Sequence, residues 1–253
     1  MPPLVSIITV TYQAAAVLER TLQSVLAQTY PRIEYLIIDG ASTDGTLDII
    51  RRYADRLAYW HSEPDAGLYD AMNKGLQRAT GEYIWFMNAG DEIYAADTLA
   101  QIFADYSPET DVYYGDALFV DEGGQTVGLR SQVTPHPLPR SLSWQSFRYG
   151  MVVCHQSFVV RRRLAPLYNL KHRYSADVEW EIRCLKNSRS VRFTGLTLSR
   201  YLTGGFSRQH LQSSLKDRFR VLAQHFGALP TLVAHGWIAL RGAVFVIRRG
   251  KGY

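Results

Sequence analysis

The most informative segment of the chain reads Ser62-Glu63-Pro64-Asp65-Ala66-Gly67-Leu68-Tyr69-Asp70-Ala71-Met72-Asn73-Lys74-Gly75. It follows a strand-like run and opens a helix, and it places carboxylates, a tyrosine, an amide and a lysine around two glycines. A turn of this composition suits a polar ligand whose phosphate groups approach the backbone closely. The segment therefore predicts a junction between a strand and a helix that carries a ligand site.

Two other strand-like runs end in similar polar clusters. Upstream, an apolar run ends in Ile38-Asp39-Gly40-Ala41-Ser42-Thr43-Asp44-Gly45-Thr46, and downstream another ends in Phe86-Met87-Asn88-Ala89-Gly90-Asp91. Ligands of open parallel sheets bind at the carboxyl ends of the strands. We therefore expect the three clusters to gather along one edge of a sheet.

The hydrophobic periodicity predicts alternating strands and helices in the first part of the chain. We expect strands at 4–10, 33–38, 57–61 and 82–87, and helices at 14–28, from a cap at Ser42 or Thr43 to about 53, at 67–79 and at 96–106. This alternation predicts an α/β fold with a doubly wound, mostly parallel sheet and right-handed crossovers.

The pattern changes after this region. We expect an antiparallel hairpin from 112–120 and 125–129, a loop over the site at 130–150 and a loop at 199–209. Further strands are predicted at 156–160 and 191–198, and helices at 176–186 and 210–226. The sheet should therefore gain a small antiparallel portion, and the chain should end in helices.

Composition narrows the class of protein. The 253 residues are 47% hydrophobic, which supports a substantial core, and the two cysteines are too few for a disulfide framework. We expect a reduced, cytoplasmic setting and no signal peptide, because the first apolar run has only the length of a strand.

The charge is distributed unevenly along the chain. Residues 1–129 carry 7 Lys and Arg against 19 Asp and Glu, whereas residues 130–253 carry 21 against 4, so net charges of −12 and +17 give the +5 of the whole chain. An acidic half can hold a divalent cation that accompanies phosphates, and a basic half can face anionic lipid or a polyanion. Two solvated surfaces are the alternative.

Several common catalytic signatures are missing from the sequence. It contains no G-x-x-x-x-G-K-[ST] phosphate loop, no G-x-G-x-x-G, no H-E-x-x-H and no G-x-S-x-G. The sequence therefore lacks the residues that P-loop proteins, dinucleotide oxidoreductases and serine hydrolases usually have.

The remaining motifs resemble the inverting family 2 glycosyltransferases, which have the GT-A fold. The resemblance covers roughly 4–210 and rests on Val5-Ser6-Ile7-Ile8-Thr9-Val10-Thr11-Tyr12, Ile38 to Thr46, Asp70 to Gly75, Phe86 to Asp91, and Ala176-Asp177-Val178-Glu179-Trp180. The block from Glu63 to Gly75 looks most like the branch that builds bacterial exopolysaccharides such as colanic acid. The resemblance implies a GT-A domain at 1–210, with a nucleotide-sugar half at 1–115 and an acceptor half at 116–210, followed by C-terminal helices at 211–253.

The resemblance also implies roles in binding the nucleotide sugar. Thr11 and Tyr12 would line the base pocket, and Asp39 would accept a hydrogen bond from uracil or another base. The other implied nucleotide-sugar contacts are Asp70, Asn73, Lys74, Asn88, Ala89 and Gly90. The family frequently has Arg where this chain has Met72, which makes Lys74 the candidate for the phosphate contact.

Asp91 occupies the last position of the family's D-x-D metal motif, in the sequence Asn88-Ala89-Gly90-Asp91. The first Asp of that motif is replaced here. The remaining carboxylate can hold Mg²⁺ or Mn²⁺ if phosphate oxygens and waters complete the coordination shell.

Asp177 is the implied general base, which takes the proton of the acceptor hydroxyl. Glu179 and Trp180 in the same helix, and Ser207 in the following loop, are further candidate contacts to the acceptor or diphosphate. His155 and Gln156 are plausible substrate contacts, but a histidine packed in the core is an equal alternative.

The apolar segment 229–247 is followed by Arg248-Arg249-Gly250-Lys251. We expect a helix that lies in the membrane interface, and packing on protein is the alternative. The expected donor is a nucleoside-diphosphate sugar, above all a UDP-sugar. The expected acceptor is a saccharide or a polyprenyl-diphosphate-linked saccharide on the inner face of the cell membrane, and we expect no nucleic acid partner. Competing hypotheses are a non-catalytic nucleotide-sugar-binding scaffold and a sugar-phosphate nucleotidyltransferase, although the latter enzymes open with a glycine-rich first loop.

Overall fold

In the computed structural model, residues 1–204 and 210–249 are described. A nine-stranded mixed sheet has the order β3-β2-β1-β4-β8-β6-β9-β5, and β7 pairs with β6. The strands are β1 Val5–Thr11, β2 Ile33–Asp39, β3 Tyr59–Ser62, β4 Tyr83–Phe86, β5 Glu92–Ile93, β6 Val112–Val120, β7 Thr126–Leu129, β8 Phe158–Arg161 and β9 Val191–Leu202. Strands β1 to β4 pair in parallel, whereas β8 is antiparallel to both of its neighbours.

Helices cover both faces of the sheet. They are α1 Leu18–Leu26, α2 Thr46–Arg52, α3 Leu68–Arg78, α4 Thr98–Ile102, α5 Arg130–Val133, α6 Ala176–Asn187, α7 Leu211–Phe226 and α8 Ala228–Arg249. One core cluster packs α1, α2 and α4 on the sheet, and the other packs α3, α6 and α7 on the opposite face. Successive side chains of β1, such as Ile7 and Ile8, enter opposite clusters, as the two-residue period of a strand requires. The predicted α/β fold with a doubly wound sheet is therefore confirmed.

The predicted hairpin is also confirmed, because β6 and β7 pair in antiparallel register. Both core clusters draw on strands from 1–115 and from 116–210. The division into two functional halves stays a prediction.

Some element boundaries differ from the expectation. The helix predicted from residue 14 begins at Leu18, because Val17 has a φ of −127°, outside the helical range. The preceding N–H groups of Ala14 and Ala15 donate to the side chains of Thr46 and Asp44. The predicted cap at Ser42 or Thr43 is wrong: α2 begins at Thr46, after Gly45 in the left-handed region. Strand β9 continues to Leu202 rather than 198, because its last residues pair with β6.

The C-terminal helices pack on one another beside the short 3₁₀ helix Trp144–Tyr149. The packed face of α8 carries the buried side chains of Thr231 and Ala234, and the half-buried Ile238 and Arg241 follow at helical spacing. The opposite face exposes large apolar side chains: Leu229, Leu232, Val233, Trp237, Leu240 and Ile247. By length and composition, Ala228–Arg248 is the one helix in the described part of the chain that could cross a membrane, with a mean hydropathy of 1.4.

Candidate active site

The order of the strands across the sheet reverses at β1, because β2 and β3 follow on one side of it and β4 lies on the other. Ligands of such sheets bind in the crevice at this point, outside the carboxyl ends of the strands. Thr11 ends β1, and Asn88 follows β4 by two residues. The Oγ1 atom of Thr11 and the Oδ1 atom of Asn88 are both buried and without a hydrogen-bond partner. Because buried polar atoms are rarely left unpaired, these two atoms mark the crevice as a ligand site.

Asp39 ends β2 next to this crevice and is fully buried. Its Oδ1 accepts a hydrogen bond from the Ser42 hydroxyl at 2.6 Å, and its Oδ2 accepts from the Ser42 N–H at 2.9 Å and the Ser62 hydroxyl at 2.7 Å. The carboxylate therefore ties β2, the following turn and β3 together. Lone pairs on its two oxygens would still be available to a nucleotide base.

Tyr12 stands at the open side of the crevice, with 64% of its side chain exposed. A Cβ atom at Gly40 would lie 2.6 Å from Asp65 Oδ2 and 3.3 Å from the Tyr12 ring, so only glycine allows this close approach. The exposed ring offers a stacking surface for a base.

The three predicted nucleotide-sugar contacts in α3 have partners within the protein. Asp70 accepts the Ala66 N–H at 3.0 Å, and Asn73 exchanges two hydrogen bonds with the backbone of Tyr168, at 3.0 and 2.7 Å. The ammonium of Lys74 lies 2.8 Å from a Glu63 carboxylate oxygen and donates to the Pro64 carbonyl at 3.0 Å. The Glu63 hydrogen bond, opposed in part by burial, raises the pKa of Lys74 above its ordinary value. Asn73 thus positions the segment around Tyr168, and Lys74 would have to exchange Glu63 for a phosphate.

Asp91 is held from two sides at the carboxyl end of β4. Its Oδ2 accepts from the Gln156 side-chain amide at 2.8 Å, and its Oδ1 accepts from the Leu202 N–H at 3.0 Å. Burial raises the pKa of Asp91 to about 7, and these two hydrogen bonds limit the rise. The preceding residues form the turn: Ala89 N–H donates to the Val10 carbonyl, and Gly90 adopts a φ of +103° against Leu202.

The oxygen donors at this turn fit a hard divalent cation. Asp91 supplies a carboxylate, and the unpartnered Oδ1 of Asn88 supplies an amide oxygen, which are donors that Mg²⁺ and Mn²⁺ accept. Within 1–204 and 210–249, no group of three or more His, Cys, Asp or Glu side chains could hold a metal by itself. A cation here would therefore take most of its ligands from a diphosphate and from water.

Asp177 lies in the first turn of α6 and is half-buried. Its Oδ1 accepts a hydrogen bond from the Tyr69 hydroxyl at 3.1 Å and from the Val178 N–H at 2.9 Å. Tyr69 belongs to α3, so this contact joins the segment after β3 to the helix of the predicted base. Sequence reasoning missed Tyr69, because the two residues are 108 positions apart.

A cluster of stacked aromatic rings packs next to Asp177 and includes Tyr69, which binds it. Tyr168 stacks on Tyr69 and on Trp180, with ring centroids 5.5 and 5.1 Å apart, and its hydroxyl lies 2.7 Å from His155 Nε2. Burial lowers the pKa of His155 to about 4, with a smaller opposing effect of Asp177, so the ring is neutral at pH 7. Trp180 is 1% exposed and donates its N–H to the Pro166 carbonyl. His155 and Trp180 are therefore packed in the core and do not face an open cleft. They can position the residues of the site from the core side.

Two further glutamates of α6 are buried. The Oε2 atom of Glu179 lies 3.8 Å from Arg183 Nη1 but has no hydrogen-bond partner. Both carboxyl oxygens of Glu181 are buried without a partner, and burial, together with the Asp177 charge, raises the pKa of Glu181 well above its ordinary range. Ser207 lies outside the described residues.

The segment 154–156 connects Asp91, the predicted metal ligand, with Asp177, the predicted general base. His155 contacts the aromatic cluster beside Asp177, and the next residue, Gln156, binds Asp91. The predicted site residues of α3, the β4 turn and α6 therefore belong to one connected network.

Comparison with known proteins identifies the family. The sequence model described as Glycosyl transferase family 2 matches residues 6–165. The chain belongs to this family. A family relative from Mycobacterium bovis, "PGL/p-HBAD biosynthesis glycosyltransferase", is 32% identical over 257 residues, which cover 97% of this chain and 95% of the relative. Since that name denotes a different biosynthesis, the expected exopolysaccharide branch stays a prediction.

Solved structures show the same fold. S. aureus TarS in complex with UDP-GlcNAc aligns with a TM-score of 0.65 and 17% identity, over 87% of this chain and 65% of TarS. The chain thus spans just under two thirds of that structure. The mannosyltransferase PcManGT from Pyrobaculum calidifontis, in complex with GDP-Man and Mn²⁺, aligns with a TM-score of 0.62 and 20% identity, over 99% of this chain and 80% of PcManGT. These likenesses confirm the GT-A fold for this family 2 glycosyltransferase.

Proposed function

We propose that the protein transfers a sugar from a nucleoside-diphosphate sugar, with UDP as the nucleotide, to a saccharide or lipid-linked saccharide acceptor with inversion at the anomeric carbon. The observation that carries this proposal is the connected network between Asp91 and Asp177. Gln156 binds Asp91, and the aromatic cluster beside His155 leads to Tyr69, which binds Asp177.

In the proposed reaction Asp177 acts as the general base. The acceptor oxygen forms a bond to the anomeric carbon while the bond from that carbon to the diphosphate breaks on the opposite side, and the hydroxyl proton moves to Asp177. Tyr69 donates to the carboxylate and so holds it in one orientation. The half-buried position leaves Asp177 accessible to an acceptor.

The donor would occupy the crevice between β1 and β4. Thr11 and Tyr12 are assigned to the base, Asp39 to its hydrogen bonding, and Lys74 to a phosphate. The unpartnered atoms of Thr11 and Asn88 support this placement. Asp91 and Asn88 would hold Mg²⁺ or Mn²⁺, which supplies charge neutralisation for the leaving diphosphate when bound.

The acceptor half would face the membrane through α8. Helix α8 exposes an apolar face, and its other face packs on the protein. This arrangement matches a helix that lies in the membrane interface, because a spanning helix has no need to pack along a protein surface. We place the protein in the cytoplasm, peripheral on the inner face of the cell membrane. Deletion of 229–253 should move it to the soluble fraction, whereas vesicle flotation that survives the deletion would leave only packing as the role of α8.

The decisive test measures release of UDP or GDP from a panel of nucleotide sugars, with and without Mn²⁺, for wild type, Asp177→Asn and Glu179→Gln. Loss of the general base costs ~10²–10⁴-fold in rate, while donor binding should change little. Glu179→Gln removes a carboxylate of the same helix that is itself a candidate contact to the acceptor or diphosphate, and its loss of rate should be smaller than that of Asp177→Asn if Asp177 is the base. Near-normal turnover of a folded Asp177→Asn protein would contradict the assignment, and donor binding without transfer to any acceptor would favour a scaffold.

A further inference from the structure

A cavity outside the proposed active site lies between α8 and the loop at 134–143, which precedes the 3₁₀ helix Trp144–Tyr149. It has a volume of about 270 Å³ and is lined by Pro135, Arg241, Val244, Phe245 and Arg248. Arg241 belongs to the packed face of α8, so its side chain reaches under the helix towards this loop. The cavity thus combines apolar walls with two guanidinium groups.

The guanidinium of Arg241 is only partly satisfied. Its Nη2 donates to His136 Nδ1 and to the Tyr149 carbonyl, while its Nε is buried and without a partner. Burial lowers the pKa of this arginine below its ordinary value. A buried N–H donor of a charged group is costly to leave unpaired, which indicates that an acceptor is missing.

His136 shows that more positive charge gathers at this place. Burial and the charges of Arg241, Arg130 and Arg218 together lower the pKa of His136 to about 3. The ring is therefore neutral and serves as an acceptor. Arg218 projects from α7, is half-buried, and also has a buried Nε without a partner.

No carboxylate balances these cations in the described part of the chain. Residues 130–253 contain four acidic side chains, Asp177, Glu179, Glu181 and Asp217, and none of them forms an ion pair with Arg218, Arg241 or Arg248. Asp217, the neighbour of Arg218, instead binds His172 at 2.8 Å and the backbone of Tyr174 and Ser175. The cavity therefore has an excess of positive charge, which suits an anionic ligand.

We propose that this cavity binds the phosphate group of an anionic membrane lipid, held by Arg241 and Arg248, while Arg218 adds positive charge beside His136. Arginine donors match phosphate oxygens geometrically, and the apolar walls Val244 and Phe245 suit the adjoining glycerol or isoprenoid chain. The exposed face of α8 beside the cavity would enter the same membrane leaflet. The proposal rests on the membrane placement above but not on the transfer reaction.

The test uses the full chain and sedimentation with vesicles of phosphatidylcholine alone, with 20% phosphatidylglycerol, or with a fatty acid at matched surface charge. Arg248→Gln should weaken binding to phosphatidylglycerol vesicles about fivefold more than it weakens binding to fatty-acid vesicles, since it removes a phosphate contact. Arg218→Gln should show a smaller difference of the same sign, since it removes positive charge beside the site. Arg220→Gln is the matched control, because Arg220 is exposed on the same helix two residues away. It should affect both vesicle types equally.

Further arms identify the source of the phosphate. Phosphatidylcholine vesicles with 1% of a polyprenyl diphosphate report a lipid-linked diphosphate, and preference for them or for phosphatidylglycerol supports the site. Binding of millimolar inorganic phosphate without any preference of the protein for phosphate-containing anionic vesicles over fatty-acid vesicles would overturn it in favour of a soluble anion. Equal behaviour of the three variants would also overturn it, since attraction would then be diffuse. Unchanged UDP release by the variants separates this outcome from a failure of the transfer proposal.

Discussion

Residues 1–129 carry 19 acidic and 7 basic side chains, whereas residues 130–253 carry 4 and 21. In the first region, carboxylates such as Asp39 and Asp44 are bound to hydroxyl and backbone N–H groups of their own turns. In the second region, Glu181, Arg218 and Arg241 keep buried polar atoms without a partner. The contrast teaches that carboxylates of the acidic region such as Asp39 and Asp44 stabilise local turns, whereas several buried charged groups of the basic region are left without a protein partner.

The variant Asp39→Ala tests most directly whether a carboxylate of the acidic region stabilises the fold. The Asp39 carboxylate accepts three hydrogen bonds while fully buried, so its loss should lower the free energy of unfolding by about 2–4 kcal/mol. Denaturant unfolding followed by circular dichroism measures the change. The exposed Asp48 on α2 is the control, and Asp48→Ala should stay within about 0.5 kcal/mol of wild type. A stable Asp39→Ala protein that no longer binds nucleotide would instead assign Asp39 to function alone.

Asp91 is the exception within the acidic region, because its proposed partner is a cation. Asp91→Ala should remove most of the increase in nucleoside-diphosphate affinity caused by Mn²⁺, a loss of more than about tenfold. Titration calorimetry with and without Mn²⁺ measures it, with Glu92→Ala as the control at the neighbouring position. An equal Mn²⁺ effect in wild type and Asp91→Ala would exclude Asp91 as a ligand.

Glu181 tests whether an unpartnered carboxyl in the basic region carries a cost. Glu181→Met removes both unpaired oxygens and should raise the free energy of unfolding by about 1–2 kcal/mol at pH 7.5. Because the folded-state pKa of Glu181 lies well above 4.5, the wild type loses stability as pH rises from the unfolded pKa towards the folded one. The gain should therefore shrink towards pH 4.5. A destabilised Glu181→Met protein would reveal a partner for this carboxyl, such as a water or a ligand.

The smallest effect concerns the contact between the two regions. Tyr69→Phe removes only the hydroxyl that donates to Asp177, so the turnover rate should fall about 3–10-fold, as expected for one hydrogen bond that contributes about 1 kcal/mol. Initial rates at saturating donor measure it, and the KM for the donor should not change. A rate equal to wild type would mean that α6 alone orients the carboxylate.

Much of this architecture could be predicted from local patterns. The strands of 1–106 are short apolar runs separated by helical periodicity and polar turns, and such signals need only neighbouring residues. The charge contrast between the two regions and the apolar length of α8 were visible in the same way. The positions of Asp39, Asp91 and Asp177 at the ends of predicted elements were also readable, because motif residues follow the strand and helix boundaries.

The tertiary structure decided which polar groups find a partner. Asn73 was a candidate for ligand contact, but its amide is bound to Tyr168, 95 residues away. Ser42 was expected to cap a helix, but its hydroxyl donates to Asp39. The orphaned atoms of Thr11, Asn88 and Arg241 became visible only after the fold had assigned all other partners. A sequence records where donors and acceptors lie along the chain, whereas their pairing depends on distances that only the packed sheet and helices determine.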